Sequence, residues 1–183
     1  MEHEVCAACG FDGASYDDAD LVTALRSLGS GWGALIKASG GELRVRPKAG
    51  VWSAIEYAAH SRDVTALHVY GVEQALTADE PAFPAIEGED LVQSAAPSYR
   101  DADPEQTVTA LEAEASRLAQ LAGEAGSQAW SRGLTIGTSR MDVRRLLEHA
   151  LHDSLHHLID VDQGLRTIRA GRDDPARSSD TPS

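Results

Sequence analysis

Between Leu147 and Leu158 the chain places four of its seven histidines, His149, His152, His156 and His157, inside an apolar repeat of helical spacing. At roughly 100° of rotation per residue, His149, His152 and His156 share one narrow stripe, and His157 lies about 80° to its side. Neutral imidazole is a common metal ligand near pH 7, and an i, i+4 pair on one helix presents two nitrogens to a single cation. Such a stripe asks for a facing helix that supplies a further ligand.

Three other amphipathic segments provide candidates. The first begins near Asp17–Asp20 and runs through Leu21, Leu25, Leu28, Trp32 and Leu35 to Gly40-Gly41. Its Gly29, Gly31 and Gly33 predict either a bend or close packing against a neighbour. The second opens at Ser53-Ala-Ile-Glu56, the spacing of a capping box, and continues past His60 toward Leu76. The third opens at Asp103-Pro104-Glu105, with Asp as N-cap and Pro at the first helical position. Ser139-Arg-Met-Asp142 resembles a capped start for the fourth, which extends to about Ile168. Residues 78–102 have Pro81, Pro84 and Pro97 and no helical period, a long connection of the kind that often serves function.

β-branched residues show no sustained alternation, so the fold class is all-α, a four-helix bundle with metal ligands projecting inward from facing helices. The chain divides into a Cys-containing segment (1–16), a bundle domain (17–170) and a polar tail (171–183) expected to be disordered. With 16 Lys and Arg against 29 Asp and Glu, the formal charge is −13, which disfavours nucleic acid and acidic membrane surfaces as partners. No apolar stretch is long enough to span a bilayer, and the first residues lack a secretory pattern. Cysteine usage is a single Cys6-x-x-Cys9 pair, so the expected location is cytoplasmic.

His60, His152 and His156 form the expected metal site, three neutral nitrogens with a coordination position left open. His149, Glu56, Cys6 and Cys9 are candidates for an additional ligand or for support behind one. Glu56 has an equal alternative, completing the helix cap alone. His157 reads as packing beside the site, and Asp153 and Asp160 as solvated or salt-bridged. Three readings stay open for Cys6-x-x-Cys9: a Cys2His2 structural zinc borrowing His3 or helix histidines, a redox dithiol, and an inert turn.

The run Val51-Trp52-Ser53-Ala-Ile-Glu56-Tyr-Ala-Ala-His60, together with His152-x-x-x-His156-His157-Leu158-Ile-Asp160, resembles the DinB/YfiT-like superfamily over roughly residues 17–168. That resemblance implies a small four-helix-bundle metalloprotein binding zinc or nickel through one histidine of the second helix and two of the fourth. By motif position these are His60, His152 and His156. The Cys6-x-x-Cys9-Gly-Phe-Asp run looks like a feature of an actinobacterial branch. The superfamily includes thiol-dependent S-transferases and is related to mycothiol-dependent maleylpyruvate isomerase. The isomerase has a Glu at one fourth-helix ligand position, where this chain has His152, so the resemblance does not imply isomerase activity itself.

The expected function is therefore a metal-dependent S-transferase, with a low-molecular-weight thiol such as mycothiol as cosubstrate and a small-molecule electrophile as acceptor. A metal-dependent hydrolase, a natural-product pathway enzyme and a non-catalytic metal- or ligand-binding bundle remain alternatives. Members of the superfamily often form homodimers, and no interface signature in the sequence decides the assembly here.

Overall fold

The computed structural model describes residues 2–85 and 98–172. A small hairpin, β1 (Val5–Cys6) and β2 (Phe11–Asp12), precedes helix α1 (Asp18–Ser39). Then come α2 (Ala54–Thr77), β3 (Ala82–Phe83), α3 (Pro104–Ala125), β4 (Gly133–Ile136), β5 (Ser139–Asp142) and α4 (Val143–Arg172). The expected all-α bundle forms, and the strands are short additions: β3 pairs parallel with β4, and β4 antiparallel with β5. Residues 86–97 of the proline-bearing connection and the tail beyond 172 lie outside the described residues. No described helix is long and apolar enough to cross a membrane.

Three helix starts follow their sequence signals. Asp17 accepts from the Asp20 N–H at 2.8 Å, Asp103 accepts from the Gln106 N–H at 2.8 Å, and Glu56 accepts from the Ser53 N–H at 2.9 Å. The fourth start differs. Ser139–Asp142 pairs with Gly133–Ile136 around Gly137, whose φ of 59° makes the tight turn. The last strand residue, Asp142, then takes the capping role and accepts from the Arg145 N–H at 2.9 Å.

In the bundle, α1 and α2 each pack against α3 and α4, while α1 and α2 themselves lie diagonally opposed. Two apolar clusters stack along the bundle axis. One joins Leu25 and Leu28 of α1, Val69 and Val72 of α2, Leu118 of α3, and Leu147 and Leu151 of α4. The other joins Trp32, Ala58, Leu111, Val161 and Leu165. The order in which each helix meets these clusters makes α2 parallel to α3 and antiparallel to α4. Parallel neighbours need a connection running the length of the bundle, which is why residues 78–103 are long.

Helices α1 and α3 touch at backbone distance. A Cβ built on Gly29 would stand 2.6 Å from the Glu112 Cα, so close packing, rather than a bend, is what these glycines provide. The N-terminal segment is fixed by a different device. Glu148 of α4 is fully buried; its carboxylate accepts from Arg144 Nε at 2.6 Å and the Glu4 N–H at 2.8 Å, and meets His3 Nδ1 at 2.7 Å. Arg144 also donates to the Tyr16 carbonyl at 2.7 Å and to Asp18 at 2.6 Å. Gly13 packs directly on this carboxylate, its would-be Cβ only 2.5 Å from the Glu148 Cδ.

Two outcomes follow from these contacts. Gly29→Ala gains about 1 kcal/mol of helix propensity but overpacks against backbone at a cost of about 3 kcal/mol. A net loss of about 2 kcal/mol should appear in urea unfolding as a lower midpoint at unchanged m. At Glu148, burial opposes ionisation, but Arg144, the Glu4 N–H and His3 outweigh it and hold the pKa below its ordinary value. The unfolded chain therefore binds this proton more readily than the native one. Its stabilisation is complete above the ordinary carboxylate range and drains away as pH falls through the depressed native value. Glu148→Ala should cost about 3 kcal/mol near neutral pH, and wild type and variant should converge in stability under acid titration.

Candidate metal centre

The two apolar clusters leave a polar waist between them. On α2 it contains His60, Ser61, Thr65 and His68; on α4 it contains the histidine run. The expected trio does not converge there as one set. Among the described residues, His60 comes together with Asp153 and His157, while His152 and His156 come together with Cys6 and Cys9. Within each group the ligand atoms lie within 4.8 Å of one another. The reason is rotational. Both 152/156 and 153/157 have i, i+4 spacing, and burial of Leu147, Leu151 and Ser154 turns α4 so that 153 and 157 look at α2.

The first group is built by two antiparallel helices. His157 Nε2 lies 3.6 Å from Asp153 Oδ1, and its Nδ1 lies 3.0 Å from Asp160 Oδ2. A carboxylate holding one ring nitrogen fixes the tautomer and aims the other nitrogen at the site. The His60 ring centroid is 5.2 Å from that of His157. Burial keeps the His60 pKa below its ordinary value, more strongly than the Asp153 charge raises it, so the ring is neutral at pH 7 and its lone pair is free. Two imidazoles and a carboxylate suit a divalent transition metal, and three protein ligands leave positions for a reactant.

Aromatic rings wall this group. Trp52 stands 5.3 Å from His60, Tyr57 4.9 Å from His157, and Tyr99 5.9 Å from Trp52 between ring centroids. Tyr99, delivered by the long connection, is buried, and its pKa is pushed up to about 12 by burial and by the charge of Asp63. Burial likewise raises Tyr57. Both phenols therefore stay protonated.

The second group joins the N-terminal hairpin to the opposite flank of α4. Backbone N–H groups of Cys9 and Ala8 point at Cys6 and lower its pKa to about 6, against a smaller opposing effect of burial. Burial and the neighbouring Cys6 sulfur raise that of Cys9. His156 Nδ1 lies 3.7 Å from Cys6 Sγ. The His152 ring stacks under Phe11 at 5.2 Å, and both its nitrogens are buried without a hydrogen bond. Its Nδ1 is 3.0 Å from Glu4 Oε1, an electrostatic contact whose angles fall outside hydrogen-bond geometry.

Of the remaining candidates, Glu56 is occupied by the Ser53 N–H, the Ser53 hydroxyl and Arg46, so the structure places it in the cap and not behind His60. His149 is half exposed at the rim, 3.4 Å from Glu4. His68, whose Nδ1 donates to the Val64 carbonyl at 2.7 Å, is held neutral by burial, with its pKa near 4. Sequence reasoning set His157 beside the site and read Asp153 and Asp160 as solvated or salt-bridged, and it did not name Glu4 or Tyr99. Asp153-x-x-x-His157 has the same spacing as the histidine pair, and reading carboxylates alongside imidazoles would have found it.

Residues 21–161 match the DinB superfamily. Among solved structures, YfiT from Bacillus subtilis is similar, with a TM-score of 0.73 and 16% identity over 84% of this chain and 87% of that one. YfiT is described as a probable metal-dependent hydrolase with an unusual four-helix bundle topology. Among curated proteins none matches the chain. Bundle topology, a histidine-rich waist and a match spanning most of the sequence together make this chain a member of the DinB superfamily.

Proposed function

We propose that the protein is a metal-dependent enzyme of small-molecule chemistry, and that His60, Asp153 and His157 hold its divalent cation. The observation that carries this reading is the convergence of those three ligands from α2 and α4, with Asp160 behind His157 at 3.0 Å. When bound, a zinc- or nickel-class ion supplies Lewis acidity, lowering the pKa of a water or thiol brought to its open position. His157, oriented by Asp160, and neutral His60 present nitrogen lone pairs, while Asp153 supplies negative charge that tempers the cation. Residues His152 and His156 are not needed for this set.

The reaction proposed is transfer of a low-molecular-weight thiol to an electrophilic substrate. Support comes from the wall of Trp52, Tyr57 and Tyr99, which suits an organic thiol and its acceptor better than bulk water. The protonated phenol of Tyr57 adds a donor to that wall without adding charge, while that of Tyr99 is engaged with Asp63. A hydrolase reading draws on the fold shared with YfiT, and the two readings differ in one requirement, the added thiol.

Metal-loaded protein should consume thiol and a reactive electrophile such as monobromobimane together, with mycothiol or a simpler thiol supplied. Turnover of ester or amide substrates without thiol would replace the transferase reading with the hydrolase one. His60→Ala and His157→Ala should each abolish turnover. Asp160→Asn should lower metal affinity or kcat/KM by about 10- to 100-fold while the far-ultraviolet dichroism stays unchanged. Full activity in His60→Ala would remove the assignment of this centre.

A further inference from the structure

The second ligand group has no part in that chemistry, and its construction differs in kind. We infer that Cys6, Cys9, His152 and His156 form a separate, closed Cys2His2 site for a zinc-class ion that pins the N-terminal hairpin to α4. The four ligand atoms lie within 4.8 Å of one another, two from a hairpin turn and two from an i, i+4 helix pair. Two thiolates and two imidazoles are the donor set of tetrahedral structural zinc, and four protein ligands leave no position for substrate.

Two independent features of the surroundings fit an ion at this place. The Gly10 N–H donates to the Cys6 carbonyl at 2.9 Å and Gly10 has a φ of 75°, closing the turn that brings the two cysteines together. His152 has two buried ring nitrogens without a hydrogen bond, a costly arrangement for an imidazole that has nothing to ligate. With Glu4 Oε1 3.0 Å from Nδ1, the other nitrogen is the one left for the ion. His156 points Nδ1 at Cys6, and its Nε2 faces Asp160 at 3.7 Å. Each imidazole thus has a carboxylate on its far side, the usual support of a ligating histidine.

The two centres stand on adjacent strips of α4, and the inference does not depend on the reading of the His60 centre. On binding, the ion takes the place of the thiol protons, which pass to solvent. Structural zinc of this kind contributes to folding directly, so the hairpin is the part of the chain whose order follows the metal.

Cobalt(II) substitution of the full-length protein tests this without any assay of turnover. Wild type and His60→Ala should both show the thiolate-to-cobalt charge-transfer absorption and the intense visible bands of a tetrahedral ion. The double variant Cys6→Ser/Cys9→Ser should lose those bands. It should also bind about one equivalent of zinc less per chain than wild type. Zinc should slow amide exchange in residues 2–16 of wild type by about tenfold or more and leave the double variant unchanged. Absence of the charge-transfer band in wild-type protein would overturn the proposal, whatever the variants do. So would its loss in His60→Ala, or its persistence in the double variant.

Discussion

A buried carboxylate must be surrounded by donors, and Glu148 meets that demand with groups drawn from two stretches of chain. Arg144, one turn earlier on α4, neutralises its charge and reaches onward to the Tyr16 carbonyl and Asp18. The N-terminal segment is held to the bundle by this clamp, by the apolar contact of Phe11, and by the ion pair of Glu4 with Arg145 at 2.6 Å. Gly13 is the steric counterpart, since any side chain there displaces the carboxylate. The position of one buried charge thus fixes much of how the N-terminal segment meets α4.

The bundle solves a second problem, that of keeping several polar side chains in a small core. Its apolar residues separate into two clusters, and the interval between them houses imidazoles from α2 and α4. Hydrophobic stabilisation is supplied at both ends and the middle is free to hold ligands. Trp32 illustrates the arrangement: fully buried, it spends its one polar atom on the Ser154 hydroxyl at 2.8 Å.

Much of this was legible from sequence, for identifiable reasons. Helix starts at Asp17, Ser53 and Asp103 are local chemistry, settled by a side chain and an N–H three residues away, and local rules found them. Ser139–Asp142 misled because strand pairing with Gly133–Ile136 is a non-local competitor for the same residues. The histidine stripe identified α4 as the ligand-bearing helix but not its angular setting. That setting is decided by which apolar residues α1, α2 and α3 accept, and a rotation of one residue exchanges the 152/156 pair for 153/157. Glu56 was ambiguous for a similar reason: its role rests on Arg46, ten residues upstream in a segment with no helical period.

The parallel placement of α2 and α3 obliges the chain between them to travel from one pole of the bundle to the other. Near its far end it is tethered by Arg44, which donates to the Ala102 carbonyl at 2.9 Å, and there it lays Tyr99 beside Trp52. The groups suited to gripping a cation sit on rigid helices, whereas part of the surface a substrate would meet is brought in by this traversing segment. On the proposed reading, selectivity and ion retention would be separable properties in this architecture, and descendants of one such bundle would be free to change what they recognise while keeping the same donor atoms.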